Sequence, residues 1–187
     1  MAEGIVVIGT SLGGLHALGV VLGGLPRDFP MPVAIVQHRT KDPDSTLAEL
    51  LQRRTSLPVD DVDDKMPVQA GRVYLAPPDY HLLVGREQFA LSIEAPVSHA
   101  RPSVDVLFES AASSFGSGVL AVVLTGANGD GANGAVAVKL HGGRVIVQDP
   151  KDAESPVMPA VAVSKGVADV VLSLRDIAAQ VVRWSRE

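Results

Sequence analysis

The chain has 187 residues, enough for one domain that buries roughly 70% of the surface its unfolded form exposes, and too few for two full ones. A composition that is 47% hydrophobic and 20% charged excludes a low-complexity or disordered chain, and a net charge of −5 without a clustered basic face argues against nucleic acid as a partner. Disulfide and thiolate chemistry are excluded because there is no cysteine; no apolar run approaches the ~20 residues of a membrane span, and "MAEG" does not open a secretion signal, so a soluble cytoplasmic protein, not membrane-embedded, is expected.

In chain order, the apolar run 5–9 reads as a buried strand and 13–24 as the helix after it. Strand 33–37 and helix 44–54 follow, and the acidic "DDVDDK" at 60–65 reads as a solvated loop. The stretch "GRVYLAPPDYHLLVGREQFALSI" reads as three strands with tight connections, an antiparallel excursion on the sheet edge over about residues 72–93. Then come helix 104–115, strand 119–124, helix 131–141, the late strands "GGRVIVQ" and "VADVVLS", and helix 174–185. In that last segment Leu174, Ile177, Ala178, Val181 and Val182 recur at helical spacing. Alternating strands and helices imply an α/β fold: a doubly wound, mainly parallel sheet flanked by helices, in one domain over 1–187.

The turn "GTSLGG" after the first strand admits two readings. A dinucleotide fold needs G-x-G-x-x-G there and an acidic residue closing the second strand. Here Ser11 replaces the second glycine, and the second strand ends in Gln37 and His38, so both requirements fail. The same letters fit G-x-S-x-G, in which small neighbours let a sharp strand-to-helix turn lift a serine hydroxyl clear of the sheet. As a bland alternative, Ser11 is a turn residue or helix cap.

A serine nucleophile needs a base within hydrogen-bond reach and a group that orients the base. Of the five histidines, His38 alone directly follows a core strand; His16, His81, His99 and His141 read as structural or solvated. For the acid, "ANGDGANG" places Asp130 among glycines at a core-strand end, ahead of a helix that it could equally cap. Asp79, Asp105 and Asp149 are rivals, and Ser103 with Asp105 reads as the capped first turn of a helix.

These segments resemble the catalytic domain of the CheB family of chemotaxis protein-glutamate methylesterases. The resemblance runs through "IGTSLGG", "VQH", "VYLAPPDYH", "RPSVDVLF", "VVLTG" with "DGA" five residues on, and "MP" at Met158 and Pro159. It implies a Ser11, His38 and Asp130 triad, hydrolysis of γ-glutamyl methyl esters, a glutamine deamidase side activity, and no metal or organic cofactor. The implied partners are methylated cytoplasmic helices of a chemoreceptor-like protein. The expected oxyanion donor is the Leu12 amide; Ala127, Arg101 and Met158 are the expected lining of the substrate cleft, with a surface salt bridge for Arg101 and packing for Met158 as alternatives. The resemblance is to the catalytic domain without the family's receiver domain. Where the family has "TGMG" this chain has "TGAN", from Thr125 to Asn128, which keeps the spacing to Asp130 and alters the pocket. That change motivates a second reading, a CheB-like adaptor module that has kept the fold and lost its chemistry.

Overall fold

The computed structural model describes residues 3–38 and 47–187. Along the chain run β1 (Ile5–Thr10), α1 (Gly14–Gly23), β2 (Val33–Gln37), α2 (Leu47–Gln52), β3 (Val59–Asp61), β4 (Val73–Leu75), β5 (His81–Val84) and β6 (Phe89–Ser92). They are followed by α3 (Val104–Phe115), β7 (Val119–Val123), α4 (Ala132–Leu140), β8 (Arg144–Gln148), α5 (Val157–Ser164), β9 (Val170–Leu172) and α6 (Leu174–Trp184). Residues 44–46 of the expected helix 44–54 lie outside the described residues.

Seven strands form one parallel sheet in the order β3-β4-β2-β1-β7-β8-β9. Successive side chains of a strand point to opposite faces, so a sheet with helices on both faces needs uninterrupted apolar strands. In β1, Ile5 and Val7 pack into a core with α3, α4 and α5, while Val6 and Ile8 pack into another with α1, α2 and α6. The chain leaves β1 toward β2 on one side and returns to β7 on the other. The strand order therefore reverses at β1, and in open α/β sheets such a reversal opens a crevice at the carboxyl ends.

Three segments differ from the sequence reading. Of the three strands in 72–93, only β5 and β6 make the antiparallel pair, a separate two-stranded sheet; β4 pairs in parallel with β2 inside the main sheet. All three residues of β4 are buried, as a strand flanked by neighbours on both sides requires. The acidic stretch begins in β3, an edge strand whose Asp60 pairs with Arg72 at 2.7 Å; charge on an edge strand costs little because it stays at water. Helix α5 has no counterpart among the expected elements. Pro156 is its N-cap and Pro159 falls in its first turn, where backbone N–H groups have no intrahelical acceptor to lose.

On the α3 side of the sheet, helix and strand come into close contact at Gly9. A Cβ there would lie 2.1 Å from Cγ1 of Val104, the fully buried first residue of α3. Gly9→Ala should therefore overpack the β1–α3 contact and destabilise the protein by about 1–3 kcal/mol, read as a lower urea midpoint at unchanged m-value.

Candidate active site

The turn between β1 and α1 holds Ser11 by its backbone. Its N–H donates to Thr125 O at 3.0 Å, and its carbonyl accepts the Gly14 N–H at 2.9 Å and Gln37 Nε2 at 2.8 Å. Gln37 Nε2 also donates to His38 O, at 2.9 Å, and the His38 N–H donates to Thr10 O at 3.0 Å, so the ends of β1 and β2 are tied together. The sharp bend is taken up at Gly13, with φ +81°, and not at the serine. The Leu12 N–H has no hydrogen-bond partner among the described residues.

His38, half-buried behind β2, reaches across to Asp130: its Nε2 lies 2.7 Å from Asp130 Oδ2. Its other nitrogen, Nδ1, lies 3.1 Å from the side-chain nitrogen of Asn128. Backbone donors fix the proton positions. The Asp130 N–H can only donate, and it does so to Asn128 Oδ1 at 3.1 Å, which turns the Asn128 NH2 toward the ring. Nδ1 is then the acceptor, and the ring proton sits on Nε2, directed at the carboxylate. Asp130, Asn128 and His38 thus close a ring of hydrogen bonds.

Asp130 is not the cap of the helix that follows it. Its carboxylate stands at the amino end of α3, where it accepts Ser103 Oγ at 2.8 Å, the Val104 N–H at 2.7 Å and the Asp105 N–H at 3.0 Å, besides His38. Ser103 occupies the N-cap position of α3, but its hydroxyl serves Asp130 instead of the helix. Asp105 returns the favour: its Oδ1 accepts the N–H groups of Gly131 and Gly134, at 2.9 and 2.7 Å, at the start of α4. Burial is the largest influence on Asp130 and opposes its charge, but the hydrogen bonds from His38, the Asp105 and Val104 amides and Ser103 together outweigh it and hold the carboxyl below the usual aspartate range. For Asp105 burial wins: it pushes the carboxyl up, with the Asp130 charge adding to the push, and the amides of Gly134, Gly131 and Asn133 offset only part of it.

Ser11 and His38 line one hollow of about 360 Å³ with His99, Ala100, Arg101, Pro102 and Asn128. A second hollow beside it, about 570 Å³, runs from the same two residues past Leu12 and Leu15 to Glu154. A larger hollow, about 770 Å³, lies at the opposite end of the sheet, around Gly4 and Gly118, with none of these groups in it. Arg101 makes no salt bridge among the described residues; its Nη1 donates to Ile93 O and Glu94 O at 2.8 and 3.1 Å, fixing the loop that rims the hollow. Ala127 is exposed on the loop after β7. Met158 lines neither hollow: it is 1% exposed, in the core beneath Gly126, where a Cβ would meet its sulfur at 1.9 Å. Four partners of the site escaped the sequence reading, namely Gln37, His81, Ser103 and Asn128. Buried His81 accepts the Ser103 N–H at Nδ1 and donates from Nε2 to Ala95 O, at 3.2 and 3.1 Å, and so fixes the entry to α3.

A family profile described as CheB methylesterase matches residues 6–181. The chain belongs to the CheB methylesterase family. A Leptospira interrogans protein is 40% identical over 179 residues, covering 95% of this chain and 93% of that protein. A Trichodesmium erythraeum protein-glutamate methylesterase/protein-glutamine glutaminase is 37% identical over 183 residues, and there the match spans 96% of this chain but 52% of the relative. The crystal structure of the Thermotoga maritima CheB methylesterase catalytic domain superposes with a TM-score of 0.94 at 34% identity, over 98% of this chain and all of that one. Within this CheB fold, the doubly wound, mainly parallel sheet with a small antiparallel excursion is as expected, the excursion being confined to β5 and β6.

The two buried carboxyls act on stability with opposite signs. Asp130 has a folded pKa below its unfolded one, so its contribution is complete above the ordinary aspartate value of about 4 and is lost as pH falls through the folded value. Asp105 is harder to ionise when folded, so its ionisation costs stability as pH rises through the unfolded value. Urea unfolding between pH 7 and pH 3 should show an acid loss that is smaller in Asp130→Asn than in the parent. At pH 7, Asp105→Asn keeps an oxygen for Gly131 and Gly134 and should hold or gain stability, whereas Asp105→Ala should lose about 1–3 kcal/mol for each amide left unpaired. Equal losses in the two Asp105 variants would contradict the capping role.

Proposed function

We propose that the protein hydrolyses γ-glutamyl methyl esters on cytoplasmic helices of a chemoreceptor-type signalling protein, through a triad of Ser11, His38 and Asp130, with deamidation of glutamine side chains as a second reaction. The observation that carries this reading is the bond from His38 Nε2 to Asp130, which leaves Nδ1 as the base in a hollow shared with Ser11. Relatives named for both activities support the substrate class.

Serine is a weak nucleophile at its own pKa, so attack on the ester carbonyl requires that Ser11 Oγ pass its proton to His38 Nδ1 as the new C–O bond forms. Asp130, ionised and saturated with donors, accepts the Nε2–H and stabilises the imidazolium without taking its proton. The developing oxyanion is met by the Leu12 N–H in the turn ahead of α1, with the exposed turn at Ala127 as the second source of amide donors. Collapse of the tetrahedral intermediate breaks the bond to the methoxy oxygen, which leaves as methanol with the proton from Nδ1. Water then adds to the acyl-serine with the same nitrogen as base, freeing glutamate and Ser11. With a glutamine side chain the leaving group is ammonia, which needs that protonation more.

Acting on cytoplasmic receptor segments makes this a cytoplasmic activity; among the described residues no helix is long and apolar enough to cross a membrane. The adaptor reading is not favoured, since the relatives that match nearly the whole of this chain are named as methylesterases. Ser11→Ala should lower methanol release from a methylated receptor fragment by about 10⁶ while leaving the melting temperature unchanged. A variant that keeps its full rate would defeat the mechanism.

A further inference from the structure

Asn128 takes no part in that mechanism, yet it holds the atom on which the mechanism turns. Its NH2 lies 3.1 Å from His38 Nδ1, and its Oδ1 is tied to the Asp130 N–H, so the amide cannot turn over without stranding that donor. An imidazole nitrogen has a single lone pair in the ring plane. The Asn128 N–H and the Ser11 hydroxyl, which line the same hollow, therefore compete for one acceptor. After the serine proton has moved, Nδ1 carries hydrogen and faces a second donor, so the Asn128 contact exists only before reaction. An interaction present in the ground state and absent from the transition state slows the chemical step.

We infer that Asn128 is a positioning residue that latches His38 in the resting enzyme, keeping the base nitrogen occupied until Ser11 and a bound substrate displace the amide. This rests on the triad reading above and goes beyond it by assigning the site a built-in restraint. With the latch in place the Ser11 hydroxyl is quieter than the triad alone would make it.

Two variants test it. Asn128→Gly removes the side chain, and Asn128→Ser retains a short oxygen for the local turn while withdrawing the amide from the ring. One readout is the second-order rate of labelling by a serine-directed fluorophosphonate, with Ser11→Ala as the blank. Loss of one neutral hydrogen bond from the ground state should raise that rate by about 2- to 10-fold in both variants. The other readout is the ¹⁵N resonance of His38 Nδ1 in the Ser11→Ala background, where no serine hydroxyl can take the amide's place; replacing Asn128 there should move it downfield, toward that of a nitrogen accepting no hydrogen bond. A labelling rate that stays level or falls, in variants that melt like the parent, overturns the latch. An unmoved Nδ1 resonance overturns it independently of any reaction. Failure of the triad itself looks different: Ser11→Ala would retain its activity, whatever the Asn128 variants do.

Discussion

The geometry of the site depends on one buried carboxylate placed at a helix amino terminus. An ionised carboxyl taken out of water costs several kcal/mol unless its acceptor positions are filled. Asp130 fills them with a hydroxyl, two amides of the first turn of α3 and the imidazole of His38. The partial positive charge at that helix end favours the anion as well. Fixing α3 on the sheet and orienting the imidazole are consequently one event. Asp105 makes the coupling mutual, because it leaves the first turn of α3 to accept the first amides of α4. The two helices exchange caps, and neither can shift without stranding donors of the other.

The other constraint is the order of the strands. Ser11 follows β1, His38 follows β2 and Asp130 follows β7, three neighbours in the sheet, although the chain separates the last two by 92 positions. Parallel strands deliver their carboxyl ends to the same edge, so residues remote in sequence arrive together without any local motif. Thr125 fastens that edge. Its carbonyl accepts both the Ser11 N–H and the Thr10 hydroxyl, and its own hydroxyl donates to Leu12 O at 2.9 Å. At the opposite edge a larger hollow exists, but no strand end supplies it with a comparable set of groups.

How much of this could be read from the sequence follows from which forces are local. Uninterrupted apolar runs such as Val33–Val36 announce strands buried on both faces, and the glycines around Ser11 announce a tight turn, because those requirements act within a few residues. The role of β3 was hidden because composition pointed the wrong way, since acidic side chains sit comfortably on a sheet edge; α5, which opens on two prolines in its cap and first turn, carries no sequence signal of its own. An aspartate before a helix reads as that helix's cap, and only the packing of α3 beside α4 shows that Asp130 serves the neighbour instead. Asn128 is the hardest case. Its two bonds go to residues at different strand ends, and nothing in "TGANGD" says that its amide faces an imidazole.

The orientation of the imidazole follows from the same strand order. In the familiar serine proteases the ring nitrogen nearer the backbone meets the acid and the far one meets the serine. Here the assignment is reversed, with the far nitrogen Nε2 on Asp130. Neighbouring strands lie about 4.8 Å apart, so a histidine on β2 must reach past β1 to an acid that follows β7, a gap of roughly two spacings. Only the tip of the ring extends that far. The near nitrogen is then left free of the acid, within reach of Asn128 and in the hollow that Ser11 also lines, which is why the proposed mechanism assigns it the role of base.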